Sequence, residues 1–308
     1  MRFGRYLIKA EVIPLKNKRF TFLDAVYLAM VFVPLLAGIV LKILTKPLSD
    51  GINITGAQVY FTIPLPLQDL PITESQINSW LAILMVLGLC LFLTRGLKTR
   101  NISVRQHLAE WLVQQADKLT HNNMGSYFMG YSAFIAAILG LSAFSSLLSL
   151  FGLFPPTSDI NVTAGWAVLV FILITYYKAK CGPVRYLKSF AEPVPLLAPL
   201  NIISEVATPL SMAFRHYGNV LSGTVISVLL GTALQGLSKT VLGWLPGVFG
   251  EIPFLQIGIP GVLSLYFDVF SGLLQAYIFA MLTMMYVSGG FPLDEYLAKK
   301  NKKKLKKS

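Results

Sequence analysis

Apolar runs too long for a soluble core decide the architecture of this chain before any motif is read. Residues 25–41, 126–154 and 262–287 are almost continuously apolar, and residues 194–237 keep the pattern over 44 positions. A hydrocarbon layer about 30 Å thick takes a helix of about 20 residues. Inside it, only helices and closed barrels satisfy their own backbone. Two further runs, 80–94 and the stretch closing at Tyr177, bring the count to about six. The first of these is short and is expected to extend back through Ile77 and Asn78. Only 13% of the 308 residues are charged, against about 25% in soluble domains. The fold class is therefore all-α, a polytopic membrane helical bundle with no separate soluble domain.

The loops orient it. With both termini in the cytoplasm, four cytoplasmic segments carry six, five, four and seven Lys or Arg, 22 of the 26 in the chain. The external segments hold only Lys46 and Lys239, while Lys42 and Arg215 fall within spans. Such a bias is the usual mark of cytoplasmic loops. The net charge of +12 is thus read as topology and contact with anionic lipid, not as affinity for nucleic acid. The basic segment 1–21 and the run after it lack a small-residue cleavage site, so an uncleaved anchor is expected rather than a signal peptide.

Between the spans, Gln58-Val-Tyr-Phe-Thr-Ile-Pro64 predicts a short extended piece. Val104, Leu108, Trp111, Leu112 and Leu119 recur at helical spacing and predict an amphipathic helix on the membrane surface. The run 194–237 would be roughly 66 Å long as one helix. It must be broken, strongly tilted or partly in-plane, with Pro195, Pro199 and Pro209 as expected break points. Cys90 and Cys181 fall near cytoplasmic ends, so no disulfide is expected. No pair among the cysteines and His107, His121 and His216 has metal-ligand spacing, and no Walker A, GxGxxG or GxSxG sequence is present. No cofactor or metal is expected.

The polar residues inside the spans carry the functional reading. Burying an arginine in a bilayer costs roughly 2.5 to 17 kcal/mol, depending on the method, and arginine cannot shed its proton. Ser211, Arg215, Gly218, Asn219, Ser222 and Gly223 share one helical face, and small residues there let another helix approach. Arg215 is read as functional against the alternative of snorkelling or internal pairing. Asp268 and Gln275 lie seven residues apart, two α-helical turns. The first is a proton relay or the partner in a structural Asp–Arg pair, and the second is expected to hydrogen-bond to Arg215. Glu205 lines a wet cleft or is merely interfacial. Asp159, at a span start, reads first as a helix N-cap, and His216 as a packing or hydrogen-bonding residue.

Three motifs carry a resemblance. Ser211-Met-Ala-Phe-Arg-His-Tyr-Gly-Asn-Val-Leu-Ser-Gly223, Phe267-Asp-Val-Phe-Ser-Gly-Leu-Leu-Gln-Ala-Tyr-Ile-Phe-Ala-Met-Leu282 and Pro155-Pro-Thr-Ser-Asp-Ile-Asn-Val-Thr163 resemble, in order, signatures of subunit a of F-type ATP synthases. Arg215 falls on that family's essential arginine, Asn219 on its asparagine and Gln275 on its glutamine. Departures are His216-Tyr217 for the usual Leu-Phe, Thr224 where some members are acidic, Asp268 for Glu or His, and Thr208 where lysine is common. The resemblance implies residues 71–290 as the family's membrane domain, 1–70 as an added anchor and external loop, and 291–308 as a basic cytoplasmic tail.

It further implies a stator channel subunit in a bacterial plasma membrane, not an enzyme by itself, with a long tilted or in-plane helix pair facing a proteolipid c-ring. Peripheral-stalk subunit b and the rest of the ATP synthase would be its other partners. Two half-channels would carry protons, with sodium as the alternative ion. The external one would use Asn219, Asp268 and Gln275, with Asp159 near its mouth; the cytoplasmic one would pass Glu205 and Ser211. A stand-alone channel or secondary transporter is the competing class, and no inverted repeat between the halves supports it.

Overall fold

The computed structural model describes residues 20–45, 56–99, 103–242 and 261–297, apart from 65, 67, 68, 181, 193, 264, 294 and 295. Most of the basic ends and of the loop 238–261 lie outside the described residues, as do Lys46 and Cys181. Among the described residues six helical segments are long and apolar enough to cross a membrane: Phe22–Thr45, Glu74–Thr94, Ser126–Phe151, Ile160–Lys180, Pro195–Val241 and Gly261–Gly289. They fall on the six expected runs.

Helix α1 (Phe22–Thr45) lies antiparallel against α2 (Glu74–Thr94), and charge fastens both ends. At one end Asp24 accepts from the N–H of Thr21, just before the helix, and pairs with Arg105 at 2.7 Å and Arg95 at 3.3 Å. At the other, Lys42 pairs with Glu74 at 3.2 Å. Between the clamps the helices nearly touch: a Cβ at Gly88 would stand 2.9 Å from that of Met30 and 3.0 Å from the Tyr27 carbonyl. The expected extended piece is β1 (Val59–Ile63), paired antiparallel with β2 (Leu70–Thr73) in front of α2.

Helix α3 (Val104–Met124) starts at Ser103, whose Oγ accepts from the Gln106 N–H, and ends at Gly125, whose φ of 79° suits glycine. Its Leu108, Trp111 and Leu112 are exposed, while Gln106, Ala116, Thr120 and Met124 turn inward. An apolar stripe facing out suits a helix laid on lipid. Helices α4 (Ser132–Leu147) and α5 (Ile160–Lys180), the short α6 (Pro183–Ser189), α7 (Ala198–Leu242) and α8 (Gly272–Gly289) follow among the described residues. Ile135, Val170, Met212, Phe279 and Met284, from α4, α5, α7 and α8, form the centre of one buried cluster.

The long run is not broken. Helix α7 continues for 45 residues, through Pro209, which at 1.5 Å per residue is about 68 Å. A strong tilt or a partly in-plane course is what remains to fit it to a layer about 30 Å thick. Pro195 sits in a preceding 3-10 turn, and Pro199 in the first helical turn, where a missing N–H costs nothing. Pro209 is buried, and neighbouring helices make a mid-helix proline tolerable. Ahead of α8, Leu265–Ser271 is π-helical, so α-helical arithmetic does not carry from Asp268 to Gln275.

Candidate functional site in the α7–α8 region

Helix α7 divides its residues between two sides. Pro209, Met212, Ala213, His216 and Gly223 are buried, whereas Ser211, Phe214, Arg215, Asn219 and Ser222 are exposed. The i, i+3, i+4 spacing of each set makes them opposite faces of one helix. Arg215 therefore stands on the open side, and among the described residues it makes no ion pair or hydrogen bond. The small-residue face is divided as well. A side chain at Gly223 would crowd Phe267 of the π segment, its Cβ 3.2 Å from that of Phe267, while Gly218 has open space before it.

The inward side explains His216. Its ring is fully buried, Nε2 lies 3.3 Å from Ser142 Oγ of α4, and Trp166 and Phe279 meet it edge-to-face at 6.0 and 5.5 Å. Packing and hydrogen bonding are its observed roles. One turn further, Asn219 Nδ2 donates to Gln275 Oε1 at 2.7 Å. Gln275 thus reaches across to α7 as expected, but to Asn219, not to Arg215. The glutamine is nearly fully buried on α8, so its amide needs that partner. Asp268 is half-buried within the π segment, a helical distortion often found at functional sites.

Toward the start of α7 the charge pattern reverses. Glu205 accepts from Lys178 Nζ with both carboxylate oxygens at 2.6 Å, and Tyr186 Oη donates to it at 3.4 Å. Burial, then the neighbouring carboxylate, pushes the Tyr186 phenol above its ordinary value, which keeps it a neutral donor. The pair borders a cavity of about 250 Å3 lined also by Ile174, Thr208, Met285 and Tyr286. Glu205 thus borders a cavity, whichever of its two readings holds. In the sequence Lys178 is one of four basic residues in the segment after a span; its partner lies 27 positions away, a separation that no local spacing announces.

Asp159 precedes α5 and accepts from the Asn161 N–H at 2.9 Å and its Nδ2 at 3.1 Å, an N-cap contact, and from Ser75 Oγ of α2. It is therefore a junction of α2 and α5. Cys90 is a free thiol. Among the described residues no three His, Cys, Asp or Glu side chains converge as a metal centre needs.

The family described as ATP synthase A chain matches residues 76–288, more than half of the chain. ATP synthase subunit a of Macrococcus caseolyticus is 34% identical over 225 residues, covering 68% of this chain and 88% of that protein. Its counterpart in Bacillus pumilus is 32% identical over 219 residues, covering 66% and 87%. The sodium ion specific ATP synthase subunit a of Propionigenium modestum is 27% identical over 282 residues, covering 79% and 88%. With six membrane-length helices and this match across the α2–α8 region, the chain belongs to the ATP synthase A chain family, the multi-pass, non-catalytic, ion-translocating membrane subunits of ATP synthase.

Proposed function

We propose that the chain is the stator half of a rotary proton motor, in which Arg215 separates two half-channels that deliver protons to and from the carboxylates of a proteolipid ring. The observation that carries this reading is Arg215 itself. A permanent cation on the open face of a membrane helix, without an internal counter-charge among the described residues, is costly unless something anionic meets it. A ring carboxylate passing that face supplies the anion. The arginine favours its ionised form by opposite charge and repels protons that would cross directly. The ring then has to turn before each proton leaves.

In this reading Asn219, Gln275 and Asp268 line the external route, with Asp159 near its mouth, and Glu205 and Ser211 line the cytoplasmic one. Both termini are cytoplasmic, residues 71–290 form the channel unit, and peripheral-stalk subunit b and the rest of the complex hold it still in a bacterial plasma membrane. The Asn219–Gln275 hydrogen bond and the cavity beside Glu205 support the two linings. Sodium is the second reading, favoured by the likeness to the sodium ion specific relative. ATP-driven acidification of inverted membrane vesicles tests the first. It should vanish with Arg215→Ala while the complex still assembles, and normal coupled pumping by that variant would remove the mechanism.

A further inference from the structure

Lys178 is the feature of the cavity that the mechanism above does not use. Its ammonium holds both oxygens of Glu205 at 2.6 Å. Its stem runs over Gly290, where an added Cβ would lie 2.9 Å from Lys178 Cε and 3.2 Å from Cγ. The absence of a side chain at Gly290 gives the lysine its path to Glu205. Among the described lining residues Glu205 is the one carboxylate and Lys178 the one cation, with Thr208, Met285 and Tyr286 neutral beside them. The pair therefore makes this chamber electrically neutral where Glu205 alone would make it a cation trap.

That neutrality separates two kinds of traveller. A metal cation has to give up hydration water and take oxygen ligands in return, and the carboxylate oxygens here are already held by a repelling ammonium. A proton needs only a chain of hydrogen bonds, which waters in such a cavity and the Glu205 oxygens provide. We propose that Lys178 is the specificity-determining residue of this chamber, barring metal cations such as sodium from Glu205 while leaving the passage open to protons. The inference rests on the reading of Glu205 as a half-channel lining residue.

The test uses the assembled complex in membranes, with Thr208→Cys as reporter in a background lacking Cys90 and Cys181. The ratio of labelling rates by cationic and anionic methanethiosulfonates is read from whichever side labels. Lys178→Gln should raise the cationic-to-anionic ratio by about tenfold, the scale on which charged clefts concentrate counter-ions. Sodium, compared with choline, should then slow the cationic reagent. Lys178→Arg should keep the parent ratio. If Lys178→Gln fails to assemble, Gly290→Ala, which displaces the lysine stem without removing its charge, should raise the ratio in the same direction. An unchanged ratio in the assembled variant, or a ratio in Lys178→Arg equal to that in Lys178→Gln, overturns the proposal. Pumping is measured separately: normal pumping by Glu205→Gln alongside the predicted labelling shift would remove the half-channel reading and leave the charge filter standing.

Discussion

Glu205 and Arg215 lie on the same helix, ten residues or about 15 Å apart, and are treated in opposite ways. The acid is met inside the subunit by Lys178 on α5 and Tyr186 on α6, and it borders a cavity. The base faces outward and has no such partner among the described residues. A charge neutralised by its own fold is set in place before any partner arrives. A charge left open is stabilised only by what docks against it. The contrast divides α7 into a part organised within the subunit and a part that, in the proposed motor, a neighbour completes.

The strongest break in that contrast removes the open charge. Arg215→Ala should reduce ATP-driven pumping below detection, and Arg215→Lys should fail nearly as badly. Lysine lacks the planar fork and loses its proton more readily when desolvated. Vesicle acidification and the amount of assembled complex, measured together, separate lost coupling from lost subunit.

Breaking the internal pair should do less. Glu205→Gln leaves Lys178 without its counter-charge, and splitting a fully buried pair costs roughly 3–5 kcal/mol. Here the side chains are 26% and 16% exposed, so solvent lowers that cost. Pumping is expected to fall by about tenfold, and the Lys178→Gln/Glu205→Gln double variant should recover part of the loss. A double variant no better than Glu205→Gln alone would mean that the two do not act as a unit.

Smaller effects follow on the α7–α8 side. Asn219→Leu or Gln275→Leu leaves the other amide unpartnered, and a double-mutant cycle on pumping rates should give a coupling of about 0.5–1.5 kcal/mol. Additive losses would show that their hydrogen bond is incidental. Asp268→Leu should slow pumping and Asp268→Glu should keep most of it, because a titratable group remains. An Asp268→Leu rate equal to the parent's across external pH returns that residue to a structural role. The smallest change in transport is expected from Asp24→Asn, outside the family match. It weakens the pairing with Arg105 and Arg95, so detergent stability should drop while pumping per assembled complex stays within about twofold.

The spans, their order, the unusual length of the α7 run and the prominence of Arg215 are legible in the sequence, because hydropathy and a lone intramembrane cation are local signals. The partner of Gln275 was not. Both Arg215 and Asn219 lie on the expected face, and only the packing of α7 on α8 selects Asn219. Propensity alone makes Pro209 a break, yet the helix continues where tertiary packing buries the proline. The π segment at Leu265–Ser271 breaks the α-helical register between Asp268 and Gln275, and no residue in it announces the change. Gly223 and Gly218 looked alike in the pattern; one meets Phe267 of its own chain and the other meets open space.

Which face of α7 meets the ring in the proposed motor is read directly by disulfide cross-linking. Single cysteines at Ser211 and Ser222, on the side of Arg215, and at Met212 and Ala213, on the buried side, are each paired with a cysteine beside the ring carboxylate in the assembled complex. Subunit–ring cross-links are expected from Ser211→Cys and Ser222→Cys and none from Met212→Cys or Ala213→Cys. Cross-links from the buried pair, with none from the Arg215 side in a fully assembled complex, would contradict the proposed motor.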